Sequence, residues 1–234
     1  MCESLVNWRR CDIKLRVKAA YLAWGIWSDR NSIVFNDTTT PPSILMARVD
    51  RWVDEAGAYH RAGIPSNLGS SRIWLPPPDG VVKLNADASM AVDGWIGLGT
   101  VARDSRGKVL FAATRRVRAH RPVEVAEAKA LEMTVRLGAR YGIQQLIVES
   151  DCQSVIKRHS KHAIYLSDLD LVLHNILFVC SSFSSIVWSH VNRYGNSVAH
   201  NLAKLIPFEV EQIWENHAPL EVAPYVLMDS LFME

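Results

Sequence analysis

Three carboxylates stand apart in this chain at positions where an acid is costly to keep. Asp87 closes the pattern VVKLNAD, Glu127 lies within EVAEAKAL, and Asp151 follows the apolar run of LIVESDCQSV. Each ends a strand pattern or sits beside the apolar stripe of a helix pattern. A buried carboxylate without a partner is unfavourable, and several brought together repel one another and shift their pKa values upward. Magnesium resolves both problems, because it prefers oxygen ligands and retains waters. Two such ions about 4 Å apart can activate a water and stabilise the leaving oxygen of a phosphodiester. The three acids therefore point to metal-assisted phosphoryl transfer with water as the nucleophile. Ser150 and Cys152 flank Asp151, but the sequence places no base beside them. Taken singly, each acid also reads as a surface residue, and Asp151 as a helix cap.

For the acids to meet, the elements that carry them must converge. Val82, Leu84 and Ala86 alternate with Lys83, Asn85 and Asp87, as along a strand. Trp95 to Ala102 and Lys108 to Thr114 flank a turn-rich connection and form a hairpin, so the first three strands make an antiparallel meander. Pro122 to Tyr141 reads as a helix with Val123, Ala126, Ala130, Met133 and Leu137 on one stripe and Gly142 stopping it. QQLIVES is a short apolar strand of the kind buried on both faces. A helix from Asp151, a longer one over Leu169 to Val179, a strand over Ser184 to Val191 and a last helix capped by Asn196 complete the order. The result is an α/β fold: a mixed five-stranded sheet, three strands antiparallel and two parallel, with helices on both faces. Ligands in such sheets gather beyond the carboxyl ends of the strands. If the first and fourth strands are neighbours, Asp87 and Asp151 converge at one edge, and Glu127 can point at the same spot.

Residues 1–72 have a different texture and read as a helical arm and linker ahead of an α/β domain over 73–206 and a tail over 207–234. Leu15, Ala19, Leu22, Ala23 and Ile26 follow helical spacing, Ser43 opens a second helix through Ile44, Ala47, Val49, Trp52 and Val53, and GIPSNLGSSR is a linker. Trp8, Trp24, Trp27 and Trp52 give the arm aromatic surface for packing. Of the 234 residues, 49% are hydrophobic and 21% charged, which excludes a disordered chain. A net charge of +2 excludes a global basic field, so any nucleic-acid contact must come from a local patch. Cys2, Cys11, Cys152 and Cys180 lack metal-ligand spacing and read as reduced thiols. The first residues lack an apolar signal core, and no stretch approaches the roughly 18 apolar residues of a membrane span. The expectation is a soluble intracellular protein that binds no membrane.

The motifs LNADAS, GWIGLGTVARDSRGKVLFAA, AEAKAL, VESDCQSV and NRYGNSVAHNLAK, in this order, resemble the type 1 ribonuclease H domain, and more closely the version found in plant non-LTR, retroelement-derived reverse-transcriptase-like proteins. AAYLAWGIWSDRNSIVFND is similar to the segment ahead of that domain. The resemblance implies a ribonuclease H-like fold and hydrolysis of the RNA strand of RNA/DNA hybrids with two magnesium or manganese ions. It makes Asp87, Glu127 and Asp151 the metal-binding acids.

Two departures from the family pattern bear on activity. Where the family carries a fourth acid at the start of the last helix, this chain has His200. A neutral imidazole adds no negative charge, and it suits manganese or zinc better than magnesium; His200 is thus an auxiliary ligand or a group that only orients another. Where the family commonly places Asn or Gln before the helix Glu to contact the hybrid's minor groove, this chain has Val123 and Glu124, which neither read a 2′-hydroxyl nor attract phosphate. The basic handle of some members is also absent between Asp151 and Ser184. Arg103, Arg115, Arg116 and Arg118, with Asn196, are the candidate nucleic-acid contacts, and His190 is either a catalytic or a structural histidine. The alternative is a catalytically silent module of the same fold that binds nucleic acid or a protein. An exonuclease of the broader superfamily shares the acids but not the hairpin motif.

Overall fold

The computed structural model describes residues 12–63, 73–90, 94–118, 122–159, 167–205 and 210–231. These form two compact units, 12–63 with 230–231, and 73–229. The expected linker over 63–72 and Trp8 lie almost wholly outside the described residues. None of the described helices is long and apolar enough to cross a membrane.

The first unit is a pair of helices, α1 (Ile13–Asn36) and α2 (Pro42–Gly63). The Asp12 carboxylate accepts from the Lys14 amide at 2.8 Å and starts α1, while α2 begins on Pro42, a residue suited to a first helical position. Tyr21 and Trp24 of α1 meet Trp52 of α2 with ring centroids 5.7 and 5.3 Å apart. The stripe expected for α1 is not the one that is buried: Leu15 and Ile26 are exposed, whereas Val17 and Tyr21 are buried. The helix carries apolar residues around most of its circumference, so spacing alone did not single out the packed face.

The second unit is built on one mixed sheet. Its elements are β1 (Val82–Met90), β2 (Trp95–Arg103), β3 (Val109–Arg118), α3 (Val123–Arg140), β4 (Gln145–Ser150), α4 (Gln153–His159), α5 (Asp168–Cys180), β5 (Ser185–His190), α6 (Ser197–Lys204), β6 (Glu211–Glu215) and α7 (Ala223–Leu231). The strand order is β5-β4-β1-β2-β3-β6. The meander β1-β2-β3 is antiparallel, and β4 and β5 run parallel to β1 on its other side. The expected sheet of five strands is corrected to six. Residues 211–215, assigned from sequence to the tail, pair antiparallel with Phe111–Arg115 of β3 and cover what would otherwise be an open edge.

Both faces of the sheet are covered. Leu84, Ala86, Ile96, Leu98, Phe111, Leu146 and Val148 pack with Ala126, Leu131, Met133 and Leu137 of α3 and Leu169, Val172 and Ile176 of α5. On the opposite face Val101, Val109 and Ala112 pack with Val198 and Leu202 of α6 and with Val222. The polar side of β1 is therefore buried too: Lys83, Asn85 and Asp87 are all nearly inaccessible. Helix α6 approaches β2 at backbone distance. A Cβ on Gly97 would lie 1.9 Å from the Ala203 carbonyl oxygen, and one on Gly99 would lie 2.4 Å from that of Ala199. The glycines of GWIGLG thus let the helix bearing His200 rest directly on the sheet.

Candidate metal centre

Parallel pairing of β1 and β4 brings two of the acids level. Asn85 is in register with Glu149, so Asp87 and Asp151, each two residues further on, lie at the same end of neighbouring strands. Glu127 reaches them from the second turn of α3. One carboxylate oxygen from each of Asp87, Glu127 and Asp151 lies within 4.8 Å of the others. Asp87 and Glu127 are buried, and Asp151 is partly so.

Three side chains from the loop before α6 and from α6 itself organise this cluster. His200 Nδ1 is 2.7 Å from Asp87 Oδ2, and His200 Nε2 is 2.9 Å from Arg193 Nη2. The same guanidinium nitrogen is 3.4 Å from Nδ1, so Arg193 lies across both ring nitrogens. An ionised carboxylate only accepts, so Nδ1 carries a proton and gives it to Asp87. Arg193 Nη1 also lies 3.5 Å from Asp151 Oδ2. Asn196 is fully buried, and its side-chain amide donates to the Ala86 carbonyl at 2.9 Å and approaches Asp151 and Asp87 at 3.4 and 3.5 Å. Behind it, Asn85 Nδ2 donates to Asn196 Oδ1 at 3.3 Å and to Glu149 Oε2 at 3.1 Å. Lys83 is paired with Glu149 at 2.8 Å.

The electrostatics are those of acids buried close together. Burial pushes the Asp87 carboxyl up to about 6; the hydrogen bond from His200 opposes this and the Asp151 charge adds to it. Burial, then the charges of Asp87 and Asp151, push Glu127 up to about 9, against a backbone hydrogen bond from Ala88 and the charge of Arg193. Glu127 Oε2 is buried with no hydrogen-bond partner. A hard oxygen-donor set with an orphaned buried oxygen fits a divalent cation. These carboxylates could hold magnesium or manganese, with His200 beside rather than within the oxygen set.

Several expected contacts are placed elsewhere. Arg103, expected at phosphate, is buried. It pairs with Asp229 of α7, donates to Asn85 Oδ1 at 3.1 Å and stacks 3.7 Å from the Trp74 ring centroid. It is thus an interior cation, corrected from a surface one. Asn196, expected both at nucleic acid and as a side-chain cap, is buried in the cluster and makes no cap hydrogen bond. Arg115 is exposed, and Arg116 is half-buried over the Trp95 ring at 5.1 Å. Register places this pair near the acids' end of the sheet: Asp87 faces Gly99, Gly99 faces Thr114, and the arginines follow Thr114. Val123 and Glu124 are exposed. His190 is half-buried with Nε2 3.2 Å from the Asp151 carbonyl oxygen. A carbonyl only accepts, so this ring nitrogen donates and helps fix the backbone at Asp151. Arg193 was missed from sequence; its one signal there is a basic residue three positions before Asn196.

Residues 85–206, more than half of the chain, match the family described as reverse transcriptase-like. The chain belongs to that family. The reverse transcriptase-like segment contains Asp87, Glu127, Asp151, Arg193, Asn196 and His200, while β6 and α7 lie beyond it. Its fold is ribonuclease H-like. RNase H1 from the archaeon Halobacterium salinarum NRC-1 superposes with a TM-score of 0.50 and 21% identity over 53% of this chain and 95% of its own. The N-terminal RNase H domain of a Mycobacterium tuberculosis protein gives a TM-score of 0.49 and 24% identity over 53% and 91%. LC11-RNase H1, solved with an RNA/DNA hybrid, gives 0.49 and 17% over 53% and 95%. No curated protein matches the sequence.

Proposed function

We propose that this protein is a metal-dependent endonuclease that hydrolyses the RNA strand of RNA/DNA hybrids. The observation that carries the reading is the convergence of Asp87, Glu127 and Asp151 from three separate elements, with one buried oxygen of Glu127 left without a partner. Bound magnesium or manganese would supply Lewis acidity at a phosphodiester and activate the attacking water. The chain's own residues hold and orient. Asp87, Glu127 and Asp151 are the oxygen donors, Asn196 fixes two of them, and His200 fixes the rotamer of Asp87 as an auxiliary group. Arg115 and Arg116 are the phosphate contacts, Arg116 with Trp95 beside it, near the acids' end of the sheet. The motif order further supports a plant non-LTR retroelement origin, a catalytic domain over 73–206 and a helical arm before it.

One observation favours a second reading, a silent module of the same fold that binds nucleic acid or protein. Asp87 and Asp151 already have His200 and Arg193 as partners. Incubating the purified chain with labelled hybrid, single-stranded RNA and duplex DNA, each in magnesium or manganese, separates the two. Hybrid cleavage that is lost in Asp87→Asn supports the nuclease. Hybrid binding without cleavage in either metal supports the silent module, and cleavage that survives Asp87→Asn rules out the assigned site.

A further inference from the structure

We infer that Arg193 is the site's second positive charge, so that the three carboxylates take one divalent ion per chain rather than a pair. This rests on the metal-dependent reading above. A pair of divalent ions brings four positive charges, whereas three carboxylates and a neutral imidazole offer three negative ones. Once metal binding has displaced the protons and all three carboxylates are ionised, the guanidinium beside them brings the net charge to two negative, which one divalent ion balances.

The geometry ties the guanidinium to the histidine. An acid at position 200 would be a further hard oxygen ligand. The imidazole is a poor magnesium ligand, but the Arg193 guanidinium lies across it, 2.9 Å from Nε2 and 3.4 Å from Nδ1, while Nδ1 is anchored on Asp87 at 2.7 Å. Arg193 is thus held against a ring that is itself fixed to the cluster. An ion arriving at Asp151 would compete with the looser contact at 3.5 Å and leave the His200 contact in place. The side chain is 63% exposed, so its charge loses little hydration there and a phosphate can reach it. A guanidinium offers phosphate a planar fork of donors that a second metal ion would otherwise replace. Histidine at 200 and arginine at 193 act together: one removes a ligand for the second ion, and the other supplies part of its charge.

Counting bound manganese by electron paramagnetic resonance tests this without reference to cleavage. Wild type and Arg193→Lys, which keeps the charge, should each bind one ion. Arg193→Gln should bind that ion more tightly, on the order of tenfold, and should acquire a second, weaker equivalent. Because Arg193 is exposed, circular dichroism should show all three proteins equally folded. Two ions in wild type would overturn this inference and leave the metal-dependent reading standing. An Arg193→Gln protein unchanged in both count and affinity would also overturn it. No ion in wild type would overturn both.

Discussion

The imidazole of His200 lies 2.7 Å from the carboxylate of Asp87, with its proton on the shared side. A histidine therefore lies against the acid cluster and orients one of its carboxylates; in the proposed reading it stands where a fourth acid would otherwise add an oxygen ligand. This relationship decides how the site should respond to a change of metal.

His200→Asp restores an oxygen donor, which magnesium accepts more readily than imidazole. Hybrid cleavage should rise in magnesium by about tenfold or more, the scale on which neighbours of a metal ligand act, and should rise less in manganese. Equal changes in the two metals would remove His200 as the reason for a metal preference.

The raised acids make the metal-free protein sensitive to pH. Glu127 and Asp87 stay protonated in the fold up to about 9 and about 6, against ordinary values of 4.5 and 3.8. Between each pair of values the folded state holds a proton that the unfolded state has released. Stability should therefore fall as pH rises, through the acid range for Asp87 and on to about 9 for Glu127. Glu127→Gln should flatten most of that slope and stabilise the metal-free protein in mildly alkaline buffer. Metal affinity should move the opposite way and grow with pH, because binding displaces protons. Urea denaturation across pH, with and without magnesium, measures both. A wild-type profile without slope would contradict the assigned burial.

Asp229 pairs with Arg103 beneath the site, and both are nearly inaccessible. Asp229→Ala leaves a buried guanidinium without its counter-ion and should cost about 3–5 kcal/mol in chemical denaturation. Replacing both residues by apolar ones should cost less than the single change. The reverse order would mean that the pair itself, rather than the stranded charge, carries the energy.

Gly99→Ala would put a methyl group 2.3 Å from the Ala203 backbone nitrogen. Helix α6 must then lift off β2, at a cost of about 1–3 kcal/mol, and carry His200 away from Asp87. Thermal denaturation and the His200 ring resonances should both shift. An alanine variant with wild-type stability and unmoved His200 signals would contradict the close approach.

Much of this is legible in the sequence. The three acids each sat on a local pattern: alternation for Asp87, helical spacing for Glu127, and an apolar strand followed by polar residues for Asp151. Parallel pairing of β1 and β4 then made them converge. What escaped the sequence was tertiary. Alternation along β1 marks Lys83, Asn85 and Asp87 as polar but not that α6 covers that side. Arg103 beside a hairpin turn looks like a phosphate contact, because its partner Asp229 is 126 residues away. Strand β6 went unread because EQIWE is short and takes its place only by pairing with β3. Arg193 has no periodic signal, and its role depends on a histidine seven residues further along.

Isothermal titration of manganese into wild type and Asp87→Asn tests the central claim most directly. The three-carboxylate site predicts measurable binding to wild type and affinity weakened by about 10–100-fold or more in Asp87→Asn, with the fold retained. Equal affinity in the two proteins, or no binding to wild type, would contradict it.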